Sequence, residues 1–201
     1  MVLVKEEKVV GNIIKPVSEP VRVYRYYDDE MSEKEIEEHM RCYQLTREQV
    51  IKDKTQFDKK LYDTVRDICE KNLLDVFTNH VFEIHRSQFG RTFTFTIYPI
   101  GTNKWEDRSE FTLTQMINCC GCVVSTKTEV GKPYRKLGVS GKFQLIKEQV
   151  SKLLGYSMMI STVREDNEAE IKSIEKAGWT CVDKFKNSRT QNKIRIYTKK
   201  I

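Results

Sequence analysis

Tyr134-Arg135-Lys136-Leu137-Gly138-Val139-Ser140-Gly141-Lys142 is the stretch on which the reading of this chain turns. It lies between an apolar run, residues 111–124, and a segment whose apolar residues Phe143, Ile146, Val150 and Leu153/Leu154 recur at helical spacing. A buried strand, a loop and a helix start therefore meet here, with the helix expected from about Gly141 to Leu154. Amides at a helix N-terminus point at one place and carry a partial positive charge, which suits a pyrophosphate. Gly138 and Gly141 let the backbone approach such a group. Arg135, Lys136 and Lys142 ring it with cations. A plain strand-to-helix loop, with glycines for turning and lysines for solubility, accounts for the same letters. The flanking elements have to decide.

Towards the C-terminus, residues 157–163 read as a strand and 167–177 as a helix closed by Gly178. Residues 180–186 and 193–199 read as two strands around the polar turn 187–192. Towards the N-terminus, 125–134 is polar, holds Gly131 and Pro133, and reads as a loop. The run 111–124 ends in Cys-Gly-Cys-Val-Val and reads as one strand buried on both faces, with Gly121 marking a bulge or a close backbone approach. Residues 81–85 and 91–98 form a hairpin through Gln88-Phe89-Gly90, with Phe93, Phe95 and Ile97 on one face and threonines on the other. Upstream, the period lengthens. Ser32–Glu35 and Thr46–Gln49 are capping boxes. They open one helix over 33–43 and a second helical region running to about 78, with a break expected near Thr55. Its stripe is Phe57, Leu61, Val65, Ile68 and Leu73. Residues 21–27 alternate as a strand, and 1–19 form an extension closed by Pro16 and Pro20.

Composition narrows the class. The chain has 201 residues, 39% apolar and 32% charged, enough for a real core without metals or disulfides. No apolar run approaches the roughly 20 residues that span a bilayer. Residues 1–20 lack a signal-peptide core, so the expected place is the cytoplasm. A net charge of +6 favours phosphate-rich partners, whether a nucleotide cofactor or a nucleic acid. Of the cysteines Cys42, Cys69, Cys119, Cys120, Cys122 and Cys181, three crowd into four positions, which is no disulfide framework; reduced strand cysteines fit better. His39 and Cys42 stand alone one helical turn apart, so no metal site is expected.

With these elements in place, a resemblance emerges. Arg135-Lys136-Leu137-Gly138-Val139-Ser140, preceded by Tyr134, resembles the Arg/Gln-x-x-Gly-x-Gly/Ala signature of the GNAT acyl-CoA N-acyltransferase superfamily. Asn167, Ala169 and Glu175-Lys176-Ala177-Gly178-Trp179 resemble its Asn…Glu-Lys-x-Gly-Phe stretch. The order strand, two helices, three-strand meander, helix, strand, helix, two strands is similar to that family's too. The resemblance covers about 21–201. It implies an α/β fold with a central, mostly antiparallel sheet and helices on both faces. On that division, 1–19 is an extension and 20–201 the acyltransferase domain, with a helical region at 32–78, a meander at 81–124 and the phosphate loop and helix at 135–154.

The resemblance also implies acetyl-CoA or another acyl-CoA as cofactor, an amine-bearing acceptor, and a monomer or homodimer. The pyrophosphate would sit on Arg135, Lys136, Leu137, Gly138, Val139, Ser140, Gly141 and Lys142. The pantetheine arm would pair with Cys122, Val123 and Val124, where neighbouring strands part, and Asn167 would contact it. Val130 matches the family's strand end as well, but 126–132 is polar for a central strand, and Val124 is preferred.

Two departures stand out. Ser140 occupies a Gly/Ala position, and Ile174 stands where many members carry the tyrosine that protonates the leaving thiolate. Glu83, His85 and Glu129 are the candidate bases, each equally an exposed charge. Tyr197 or Tyr156 could replace the acid, each equally a packed aromatic. Cys122 has no histidine evidently placed to make it a nucleophile. Trp179 reads as packing. Tyr24, Tyr26 and Tyr27 with Arg22 and Arg25 leave nucleic-acid stacking open. An inactive binding protein of the same fold, or a basic nucleic-acid-associated protein, is the alternative to a transferase.

Overall fold

Thr92-Phe93-Thr94-Phe95-Thr96-Ile97 sends three apolar side chains to one face and three threonines to the other, and that alternation builds the centre of the sheet. The computed structural model describes residues 7–8, 22–28, 33–87, 92–102, 104–117, 119 and 121–201. Its elements are β1 (Glu7–Lys8), β2 (Arg22–Asp28), α1 (Glu33–Tyr43), α2 (Arg47–Leu73), β3 (His80–Ser87), β4 (Thr92–Pro99), β5 (Ser109–Gln115), β6 (Cys122–Glu129), α3 (Val139–Leu153), β7 (Met158–Arg164), α4 (Glu168–Lys176), β8 (Thr180–Lys186) and β9 (Lys193–Lys200). The strands form one sheet in the order β1-β2-β3-β4-β5-β6-β7-β9-β8. Its paired neighbours are antiparallel except β2–β3 and β6–β7. This is the expected mixed, mostly antiparallel α/β class.

One core holds the domain together. Phe82, Ile84, Phe93, Phe95, Phe111, Leu113, Val123, Met159 and Tyr197 share a sheet face by register, and all are buried. From α2 come Leu61, Val65, Cys69 and Leu73, from α3 Phe143, Ile146 and Val150, and from α4 Ile171 and Ile174. Phe143 meets Phe111 edge-on at 5.3 Å between centroids. Each such side chain contributes roughly 1.5–3 kcal/mol on burial. α2, α3 and α4 all feed this core, and the threonines of β4 and β5 lie on the opposite face of the sheet.

Local signals placed several elements well. The Thr46 side chain accepts from the Gln49 amide and Gln49 reaches back, a complete capping box opening α2. Gly178 takes the left-handed conformation after α4, with φ 82°. Three expectations fail. The break near Thr55 is absent because 47–73 contains neither Pro nor Gly, and α2 runs unbroken through it. The run 111–124 is two antiparallel strands, β5 and β6, so the meander has four strands. The polar stretch after Val124 is strand as far as Glu129, because its polar side chains find partners. Lys127 forms an ion pair with Glu110, and Thr128 accepts from Lys147. The Ser32 box, the 88–90 turn and most of 1–19 lie outside the described residues.

Candidate functional site

β6 and β7 run side by side from Cys122 and Met158 to Ser125 and Ser161, and then part. Beyond that point Lys127–Glu129 pair only with β5, and Thr162–Arg164 only with β9. The cause is in the β5–β6 ladder. Thr112 faces Lys127 while Leu113 faces Ser125, so Thr126 is an extra residue on β6. A bulge of this kind bends and twists its strand. The parting therefore lies beyond Ser125 and not at Cys122–Val124, whose main chain is laddered to both neighbours. The reading that favoured Val124 over Val130 as the strand end is corrected accordingly.

The gap opens at the C-terminal ends of β6 and β7, the ends from which the chain enters α3 and α4. The loop into α3 is pinned at several points. The Gly131 amide donates to Ser109 Oγ at 2.9 Å. A Cβ on Gly131 would meet the Asp107 backbone at 2.8 Å, so only glycine fits. Tyr134 Oη lies 2.6 Å from His80 Nε2, and Arg135 Nε donates to the Val130 carbonyl at 3.1 Å. Lys136 and Gly138 are both left-handed, with φ 68° and 76°, and turn the chain into the helix.

α3 begins at Val139, two residues before the expected Gly141, and no side chain caps it. The first amides of a helix have no partner within it, and here those of Val139, Ser140 and Gly141 open beside Gly138. A Cβ on Gly138 or Gly141 would meet nothing within 4 Å, so the space in front of them is open. Leu137 is exposed at the rim. Lys142 is not wholly available as a cation for a ligand, since its Nζ lies 2.5 Å from Asp75. Asn167 caps α4, its side-chain oxygen accepting from the Glu170 amide at 3.2 Å.

Beneath the gap runs a polar seam that sequence reasoning missed. Gln144, Lys147 and Ser151 of α3 are buried, as are Ser125 of β6 and Ser161 of β7. Lys147 Nζ donates to Thr128 Oγ1 and lies 5.7 Å from the Phe111 ring centroid. Burial pulls its pKa down to about 8, with Glu170 pulling the other way. Gln144 donates to Glu170 at 3.3 Å, and Ser140 Oγ reaches Glu170 at 3.3 Å and Ser173 at 2.8 Å. The signal was available: each polar residue directly follows a buried apolar one, Phe143, Ile146 or Val150, and so borders the same helix face.

The acid–base candidates separate. Glu83, Thr96, Glu110 and Glu129 form one row across β3, β4, β5 and β6. Three strand spacings, roughly 14 Å, divide Glu83 from Glu129. Glu83 accepts the Tyr98 hydroxyl at 2.6 Å, and His85 is exposed on the same distant strand. Glu129 alone of the three stands on the parting strand, with Lys127 at 3.6 Å. Tyr197 is fully buried and donates to Glu175 at 2.8 Å; burial pushes its pKa up. Tyr156 is half-buried where α3 gives way to β7, and Ile174 and Trp179 are packed in the core. Tyr24 stacks on Phe82 inside the core, while the side chains of Tyr26 and Tyr27 lie outside the described residues.

No family model matches the sequence, and no curated protein does. Among solved structures the chain is similar to a nourseothricin acetyltransferase, at 13% identity over 61% of this chain and 84% of that one, with a TM-score of 0.46. It is similar to a structure of the NatC complex bound to Gag peptide and CoA, at 12% identity over 54% and 70%, with a TM-score of 0.46. It is similar, too, to an IAA acetyltransferase from Bacillus cereus, at 10% identity over 55% and 79%, with a TM-score of 0.45. Among the described residues, no helix is long and apolar enough to cross a membrane, and no group of three His, Cys, Asp or Glu is placed to hold a metal.

Proposed function

We propose that this chain is a cytoplasmic acyltransferase that takes an acetyl or other acyl group from acyl-coenzyme A and delivers it to an amine. One observation carries the reading: two parallel strands part beyond Ser125 and Ser161, at the end of the sheet where an uncapped helix begins beside Gly138. Uncapped amides at the start of α3, with open space where a Cβ on Gly138 or Gly141 would stand, suit a diphosphate. The amides of Val139, Ser140 and Gly141 would hold it, with Arg135 and Lys136 as cations and Lys142 shared with Asp75. The main chain of β6 beyond Ser125, paired on one side only, would hold the pantetheine arm. Acyl-CoA, when bound, supplies an activated acyl carbon and a thiolate leaving group.

The chain's own part is to orient and to move a proton. Glu129, on the rim of the gap, would take the proton that an attacking ammonium has to lose. Ile174 has no proton to give, and the Tyr197 hydroxyl is engaged by Glu175, so neither position supplies a ready general acid. That gap in the machinery favours one second reading, a protein of this fold that binds acyl-CoA without turning it over. Calorimetric titration with acetyl-CoA, followed by release of free coenzyme A against a panel of amines, separates the two. Heat of binding with turnover supports the transferase; binding without turnover supports the second reading. No binding removes both and leaves a basic nucleic-acid-associated protein as the alternative.

A further inference from the structure

At the closed end of the β6–β7 pair, remote from the gap, β5 turns into β6 through Cys119-Cys120-Gly121-Cys122. The Cys122 amide donates to the Cys119 carbonyl at 3.1 Å, and the Cys119 amide to Met116 at 3.2 Å. A four-residue turn of this kind brings its end Cα atoms within about 7 Å, close to the roughly 4.4–6.8 Å that a disulfide spans. The Cys119 side chain beside it pushes the pKa of the Cys122 thiol up. Cys119 is half-buried and Cys122 is buried, so Cys119 is the more accessible of the two. The turn is also anchored: the Gly121 carbonyl accepts from Ser157 at 3.0 Å and Met158 at 3.1 Å. A bridge could close by rotating side chains, without moving the strands.

We propose that Cys119 and Cys122 form a dithiol that closes to an intramolecular disulfide by exchange with low-molecular-weight disulfides. The Cys119 thiolate attacks one sulfur of the small disulfide and expels the other half as a thiol, leaving a mixed disulfide on Cys119. Cys122 then attacks the Cys119 sulfur and expels the second half. Two protein thiols are oxidised, one small disulfide is reduced to two small thiols, and the two protons end on those thiols. The bridge fastens β5 to β6 where β7 starts. This holds whether or not the acyl-CoA reading does. Cys69 is buried in the core at the C-terminal end of α2 and Cys181 lies on β8, so neither is drawn into the pair.

The test uses the full chain under native conditions with oxidised glutathione as the probe, followed by alkylation and peptide mass mapping. The expected result is loss of alkylation at Cys119 and Cys122, a peptide linked through those two sulfurs, and recovery of both thiols with dithiothreitol. Cys122→Ser should trap a stable glutathione adduct on Cys119, while Cys120→Ser should leave the bridge intact. Circular dichroism confirms that each variant is folded. Retention of both thiols in the folded protein, or a bridge that needs Cys120, overturns the proposal.

Discussion

Tyr134 at the head of the loop into α3 donates its hydroxyl to His80 at the first residue of β3, 2.6 Å away. The direction follows from the other ring nitrogen. Nδ1 faces the Thr78 carbonyl, which can only accept, so Nδ1 carries the proton and Nε2 receives one. Phe77 packs against both rings, 5.1 Å from His80 and 4.7 Å from Tyr134. A residue 54 positions upstream thus sets where the loop begins.

This pair should make stability depend on pH. Burial lowers the His80 pKa, so the folded state resists protonation more than the unfolded chain. His80's contribution is complete above the ordinary histidine range, falls as pH drops from about 6.5 towards the lowered value, and is lost below it. Tyr134→Phe should lower unfolding free energy at pH 8 by about 1 kcal/mol. Urea melts at pH 5 and pH 8 check both; a flat profile for the wild type would contradict the assignment.

Lys147 should oppose stability at neutral pH. Its folded pKa, about 8, lies below the 10.5 of an ordinary lysine. The unfolded chain therefore binds the proton more tightly, and stability should rise with pH between those two values. Lys147→Met keeps the volume and removes the buried charge. It should stabilise the fold at pH 7 by roughly 1–3 kcal/mol and abolish the alkaline rise. Denaturant titrations at pH 7 and above pH 9 read this directly.

Gly138→Asp should leave the protein folded and remove acetyl-CoA binding. Aspartate tolerates the left-handed conformation better than most residues, and no atom stands within 4 Å of the new Cβ. It does place an anion before the helix amides. Calorimetry on the folded variant decides; unchanged affinity would refute the diphosphate site.

Gly131→Ala should behave in the opposite way, with ligand affinity secondary and stability the first loss. The added methyl would press into the Asp107 and Arg108 backbone at 2.8–2.9 Å. A loss of about 1–3 kcal/mol is expected, read as a drop in the urea midpoint.

Much of this was legible because the deciding interactions are local. The Thr46 box, the Gly178 stop and the threonine–phenylalanine alternation of β4 each depend on residues within a turn or two. What escaped is set from a distance. Thr126–Glu129 looks too polar for a strand until Glu110 and Lys147 are placed beside it. The turn before Cys122 carries no Pro or Asn-Gly, so an apolar run hid it, although Gly121 was rightly a point of close approach: a Cβ there would lie 3.1 Å from Ser157 Oγ. Lys142 looked like an unshared cation because its ion pair with Asp75, 67 residues away, is invisible in the local pattern.

Thr126 has a consequence of its own. Counted along the backbone, β6 is one residue longer than the strip of β5 it accompanies. Excising that single threonine would let the two strands keep step, leave β6 without its reason to swerve, and allow it to zip against β7 along its whole length. A cleft that could admit a thioester would be traded for an ordinary, seamless sheet by the deletion of one amino acid.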